Sequence, residues 1–247
     1  HSVLTANPVA GRYLEFPHDQ LAYLRLDDYA KLPGVDPELA EEAEEHIFGR
    51  ADVVFATARK LLPLGQVPEE RCYYLPQGVE VERFATAPLE PPRTRTLGFF
   101  GLLAEWVDYD LITRAAALCP DWTFEFVGPV RQVPDSMERQ PNVKLLPPVP
   151  YSELPFAIEH WDAGWIPFEV SELTEAVNPL KAREYLAAGL ASCCTPLPEV
   201  KALSEVFISD DAEAIVGWLN ETFEQDSQER REARKQAMHK ESWAARM

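Results

Sequence analysis

Lys181 and Glu184 stand three positions apart in the segment Glu175-Ala176-Val177-Asn178-Pro179-Leu180-Lys181-Ala182-Arg183-Glu184-Tyr185-Leu186-Ala187-Ala188-Gly189. On a helix that spacing puts an ammonium and a carboxylate on one face. Asn178 suits an N-cap, Pro179 the first helical position and Gly189 the C′ position, so the segment predicts a helix over 179–188. Lys181 then falls at N3, where the helix dipole disfavours a cation by about 0.3–1 kcal/mol. A bound phosphate removes the conflict, because free amides and an ammonium then face one anion. Glu184, one turn on, is placed to accept hydrogen bonds from a ribose diol. An ordinary surface ion pair is the other reading this spacing leaves open.

The elements around this helix alternate in type. Strand patterns at 96–100, 122–127, near 143–146, 163–167, 190–195 and 206–208 are separated by helical patterns at 108–118, 151–159, 179–188 and a short one from Pro198. Alternation of this kind predicts a parallel sheet with helices on both faces. The helix bearing Lys181 follows the strand at 163–167, so it starts at the edge where open α/β sheets bind ligands. Upstream, strands are expected at 2–6, 21–26, 51–57 and 73–78, with an acidic helix at 37–50 and a short one near 58–62. Ile215, Leu219 and Phe223 form the stripe of a last packed helix, and the tail from Gln228 is helical by propensity but polar nearly all round. The proline-dense stretch 86–93 marks a boundary. The domains expected are therefore 1–87, a linker at 88–95, 96–226, and a C-terminal helix at 227–247 that solvent or the first domain would cover.

The chain has 23 basic and 41 acidic residues, a net charge of −18. That balance argues against a nucleic-acid partner or broad contact with anionic lipid. A local phosphate pocket would have to be built from a few specific side chains. The four cysteines, at 72, 119, 193 and 194, fit buried thiols rather than a disulfide framework, and the five scattered histidines have no metal-ligand spacing. There is no apolar run of about 18 residues, no signal-peptide pattern, and no dinucleotide or P-loop glycine motif. A cytoplasmic location is the default expectation.

Val177-Asn178-Pro179-Leu180-Lys181 with Glu184-Tyr185-Leu186-Ala187-Ala188-Gly189, followed by Thr195-Pro196-Leu197-Pro198-Glu199, resembles the donor-site segment of bacterial retaining glycosyltransferases. The similar subgroup builds cell-envelope polysaccharides such as teichuronic acid. Other landmarks keep the family's order: Asp27-Asp28-Tyr29, Ala51 to Thr57, Leu75-Pro76-Gln77-Gly78-Val79-Glu80 with Phe84, Gly98-Phe99-Phe100-Gly101 with Trp106 and Asp108, and Phe126-Val127-Gly128-Pro129. The resemblance spans residues 2–205. It implies an α/β chain of GT-B fold: a complete C-terminal Rossmann-like domain that binds a nucleotide sugar, plus the second half of an N-terminal Rossmann-like domain on the acceptor side. It implies transfer of a sugar to a glycan or lipid-linked acceptor, no catalytic metal or other cofactor, and peripheral membrane contact at most. In this reading Glu184 holds the ribose, Lys181 and the amides around Asn178, Pro179 and Leu180 hold the diphosphate, and Gly101 admits it to the first loop.

Three departures from that family are visible. The family's earlier glutamate falls at Ala176, which leaves the neighbouring Glu175 as the catalytic-side candidate beside Lys181. The basic pair usual after the first C-domain strand is replaced by Ala104-Glu105-Trp106-Val107-Asp108, with Arg131 as a substitute or an ordinary loop arginine. The chain opens at His1 directly in a strand pattern, where a full N-terminal domain would place roughly 90–100 residues first. A non-catalytic nucleotide-sugar or partner-binding module is therefore a second expectation, and a GT-B epimerase a third.

Overall fold

The computed structural model describes residues 1–85, 90 and 92–246. The chain divides into two compact units, His1–Gln77 with Ser171–Asn178, and Gly78–Val170 with Pro179–Met247. Most of the proline-dense stretch at 86–93 lies outside the described residues, and the division falls between Gln77 and Gly78.

The first unit holds β1 (Ser2–Thr5), β2 (Gln20–Arg25), α1 (Pro37–Arg50), β3 (Val53–Ala56) and β4 (Cys72–Tyr74). The four strands pair in parallel in the order β1-β2-β3-β4, one half of a double winding. Asp36 caps α1 by accepting from the Leu39 amide, and α1 buries Ala40, Ala43, Ile47 and Phe48. Ile47 and Phe48 meet Leu21, Tyr23 and Val54 in this unit's core. The helix expected near 58–62 is a single 3₁₀ turn, Arg59–Leu61. Pro63 follows it, and the residue before a proline is driven out of the helical region.

The second unit runs α2 (Val81–Phe84), β5 (Thr96–Phe100), α3 (Tyr109–Leu118), β6 (Thr123–Val127), α4 (Asp135–Glu138), β7 (Val143–Leu146), α5 (Leu154–Ala157), β8 (Ala163–Ile166), α6 (Leu180–Ala187), β9 (Ala191–Cys194), β10 (Val206–Ile208), α7 (Ala212–Gln225), α8 (Gln228–Met238) and α9 (Trp243–Arg246). Its six strands are parallel in the order β7-β6-β5-β8-β9-β10. Counted from β5 that is 3-2-1-4-5-6, the doubly wound arrangement of nucleotide-binding domains. The strand order reverses between β5 and β8, so the crevice for a ligand opens beyond their carboxyl ends. Both strands are fully buried, and Trp161, Trp165, Tyr185, Phe99, Phe124 and Phe126 fill the core around them.

Three expectations are corrected. The segment from Pro198 is a turn rather than a helix. The polar tail docks within the second unit, where α8 packs on α6. Its basic side chains satisfy buried acceptors: Arg231 and Arg234 converge on Asp226, Arg231 also donates to the Trp161 carbonyl at 3.2 Å, and Arg234 to that of Gly189 at 2.6 Å. The tail is also broken, by a 3₁₀ turn at His239–Glu241. No helix among the described residues is long and apolar enough to cross a membrane.

Candidate functional site

The helix carrying Lys181 starts one residue later than its sequence suggests. α6 spans Leu180–Ala187, Pro179 is its N-cap, and Gly189 takes the left-handed C′ conformation at φ 81°. Asn178 does not cap it. The Asn178 side chain is buried and donates to the Thr57 carbonyl at 2.7 Å, a bond inside the first unit. Its side-chain N–H thus serves a buried backbone acceptor just past the end of β3. Lys181 moves to the second position of α6, still within the first turn.

That start differs from the other long helices. α1, α3, α7 and α8 each have an N-cap side chain, from Asp36, Asp108, Asp211 and Ser227, accepting a backbone amide. Pro179 supplies none to α6. The amides of Leu180 and Lys181 belong to the orphan donors that every helix start leaves, here without a side-chain acceptor.

Lys181 lies against the loop that leaves β5. Its ammonium is 5.6 Å from the centre of the Phe99 ring and 6.0 Å from that of Phe168, and no described residue pairs with it by hydrogen bond or ion pair. Gly101 sits beneath it at φ 139°, a conformation that side chains disfavour. A Cβ there would stand 2.5 Å from Lys181 Cε. Glycine thus satisfies the backbone and leaves room for the lysine. Burial lowers the Lys181 pKa, and the Glu184 charge partly offsets that.

Glu184 is only 2% exposed. Burial raises its pKa, against which a hydrogen bond from Tyr151 and the charge of Lys181 act; Glu80 pushes it further up. The Tyr151 hydroxyl donates to Glu184 Oε1 at 2.8 Å. The surface ion-pair alternative is excluded, since Glu184 is buried and Lys181 makes no ion pair among the described residues.

Gly101, Pro179, Leu180, Lys181 and Glu184 therefore belong to the second unit. Glu175 and Asn178 belong to the first, where Glu175 sits in the 3₁₀ turn Thr174–Ala176 and is ion-paired with Lys60. Arg131 is an exposed loop residue 3.8 Å from Glu105. Asp28 pairs with Lys31 at 3.2 Å. Tyr151 and Phe168 were not singled out by sequence, and Phe99 entered only as part of the landmark Gly98-Phe99-Phe100-Gly101. Tyr151 is 33 positions from Glu184, beyond any local periodicity. Among the described residues no group of three His, Cys, Asp or Glu side chains converges as a metal site.

Comparison with known proteins bears on this geometry. No protein-family model matches the chain. It is 31% identical over 194 residues to TuaH of Bacillus subtilis (strain 168), a protein named as a teichuronic acid biosynthesis glycosyltransferase, covering 71% of this chain and 48% of TuaH. The chain thus spans about half the length of that relative. Among solved structures, TarM superimposes with a TM-score of 0.74 at 12% identity, over 99% of this chain and 52% of TarM. Anabaena HepE in complex with UDP-glucose gives 0.71 at 15% identity, over 92% of this chain and 70% of HepE. A glycosyltransferase from Rickettsia africae ESF-5 gives 0.68 at 14%, over 99% and 73%. These likenesses establish the fold, which is of GT-B type.

Proposed function

We propose that this chain is part of a glycosyltransferase that moves a sugar from a nucleotide-diphosphate donor to a glycan or lipid-linked acceptor, and that its second unit holds the donor. One observation carries the reading: a partly buried ammonium, unpaired among the described residues, at an α6 start that has no capping side chain. A cation removed from water without a counter-ion is costly, and its natural complement is an anion from outside the chain. A diphosphate answers both needs, accepting from the first-turn amides and from Lys181. Gly101 lets it approach the end of β5. Glu184, at i+3, then reaches the ribose.

The chemistry follows from that placement. As the donor's glycosidic bond breaks, negative charge grows on the leaving diphosphate. Lys181 and the helix start are fixed where that charge develops, so they stabilise the transition state more than the ground state. A retaining outcome and a hexosyl donor are the finer parts of the proposal, supported by the motif resemblance of 177–189. The likeness to TuaH, HepE and TarM supports a nucleotide-sugar donor.

Isothermal titration with UDP, GDP, dTDP and ADP tests the reading. At least one should bind in the micromolar to millimolar range, and tighter than inorganic pyrophosphate. Equal weakness for all four, or a preferred nucleotide whose affinity survives Lys181→Met, would overturn it.

A further inference from the structure

We propose that Tyr151 is a positioning residue for Glu184: its hydroxyl donates to Oε1, fixes the plane of the carboxylate, and leaves Oε2 to accept from the ribose hydroxyls. The inference rests on the ribose role given to Glu184 above. It adds a residue from a different element, the 3₁₀ turn Tyr151–Glu153, which no sequence motif links to the helix.

The geometry is specific. The bond is 2.8 Å, within the range of a charge-assisted hydrogen bond to a carboxylate. The ring is held on two sides, by Phe84 edge-on at 6.0 Å and by the Arg83 guanidinium at 5.0 Å. Arg83 is itself anchored by Glu80, with Nε donating at 2.8 Å. A tyrosine 41% exposed is therefore locked in one orientation by its neighbours, and its polar tip points at a carboxylate that is 2% exposed.

That tip has a chemical purpose. A ribose diol presents two donors, and only an ionised carboxylate offers acceptors alone. Burial works against ionisation of Glu184, and Glu80 adds like charge. Two groups oppose them, Tyr151 from outside the helix and Lys181 from within it. The remaining charged groups around α6 face elsewhere. Arg231 and Arg234 of α8 engage Asp226, Lys235 the Ala85 carbonyl, and Arg183 engages Glu241. The Tyr185 hydroxyl accepts from the Phe100 amide at 3.3 Å. Burial raises the Tyr151 pKa, and the adjacent Glu184 raises it further, so its hydroxyl remains a donor throughout the useful pH range.

The test is the affinity ratio of UDP to 2′-deoxy-UDP, and of GDP to 2′-deoxy-GDP, measured against pH in the unmodified chain, Tyr151→Phe and Glu184→Gln. Each ratio isolates the sugar-hydroxyl contact, because phosphate ionisation and Lys181 act alike on both ligands. The unmodified chain should prefer the ribonucleotide and lose the preference as pH falls and Glu184 takes a proton. Tyr151→Phe keeps the ring packing, which its melting temperature verifies. It should move this loss to higher pH and cut the preference about tenfold at neutral pH. Glu184→Gln should have a small preference with no pH dependence. A Tyr151→Phe profile that superimposes on the unmodified one, or a variant that binds ribonucleotides more tightly, overturns the positioning role. If the unmodified chain has no ribonucleotide preference and Glu184→Gln changes nothing, the ribose role of Glu184 itself has failed.

Discussion

Replacing Lys181 with methionine separates ligand binding from stability. The substitution removes the charge and keeps an unbranched stem. Among the described residues the rings beside the ammonium are those of Phe99 and Phe168, at 5.6 and 6.0 Å. Each such contact is worth about 0.5–2 kcal/mol, whereas loss of hydration works in the opposite direction and lowers the Lys181 pKa. A methionine sulfur gains about 0.3–1.5 kcal/mol from the same rings without that cost. The variant should be as stable as the parent or more stable by on the order of 1 kcal/mol, about 2–4 °C in melting temperature. Binding should respond the other way. Losing a hydrogen bond between charged groups removes about 1.5–3 kcal/mol, roughly 10- to 150-fold in the dissociation constant of the preferred nucleoside diphosphate.

The pH dependence of the same variant has a defined sign. Folding depresses the Lys181 pKa below its ordinary 10.5, so the unfolded chain holds that proton more tightly. The destabilisation is complete at pH values below the folded pKa and is relieved as pH rises through it towards the unfolded one. The melting advantage of Lys181→Met should therefore shrink as the alkaline range is entered. Thermal melts across pH, paired with calorimetric titration, measure both halves. A variant that melts several degrees lower and binds nucleotide unchanged would refute the reasoning, because it would make Lys181 a structural residue.

Three other perturbations follow from the geometry. Gly101→Ala places a Cβ 2.5 Å from Lys181 Cε at a backbone φ of 139°, so it should displace the ammonium and weaken nucleoside diphosphate binding about tenfold or more, read by titration. Glu184→Ala should weaken a nucleoside diphosphate more than inorganic pyrophosphate, and equal losses would remove the ribose contact. Asp226→Ala leaves the guanidiniums of Arg231 and Arg234, 0% and 7% exposed, without their shared carboxylate. It should cost about 3–5 kcal/mol, lowering the denaturant midpoint sharply.

Much of the second unit was legible because its strands are continuous apolar runs. Thr96–Phe100, Val143–Leu146 and Val206–Ile208 fall where their patterns put them, and the parallel sheet buries the central strand Thr96–Phe100 on both faces while the other two lie at its edges. The pairing of Lys181 with Glu184 on one helical face was legible for the same kind of reason, since it depends only on spacing within α6. What sequence could not supply came from long-range contacts. Asn178 has the composition of a cap, yet a carbonyl 121 positions away takes its side chain. The tail from Gln228 reads by hydropathy as solvated or bridging, but its Arg231 and Arg234 are buried because Asp226 and two backbone carbonyls lie within reach. Tyr151 touches Glu184 only because the turn after β7 is folded onto α6.

The most direct measurement follows the Lys181 ammonium itself. Side-chain ¹⁵N NMR, assigned with Lys181→Met, gives its titration with and without the nucleoside diphosphate that binds most tightly. If the diphosphate sits at the start of α6, binding supplies the missing counter-ion and the lysine pKa rises from its depressed value. An ammonium that titrates identically in the free and the saturated protein would contradict the account.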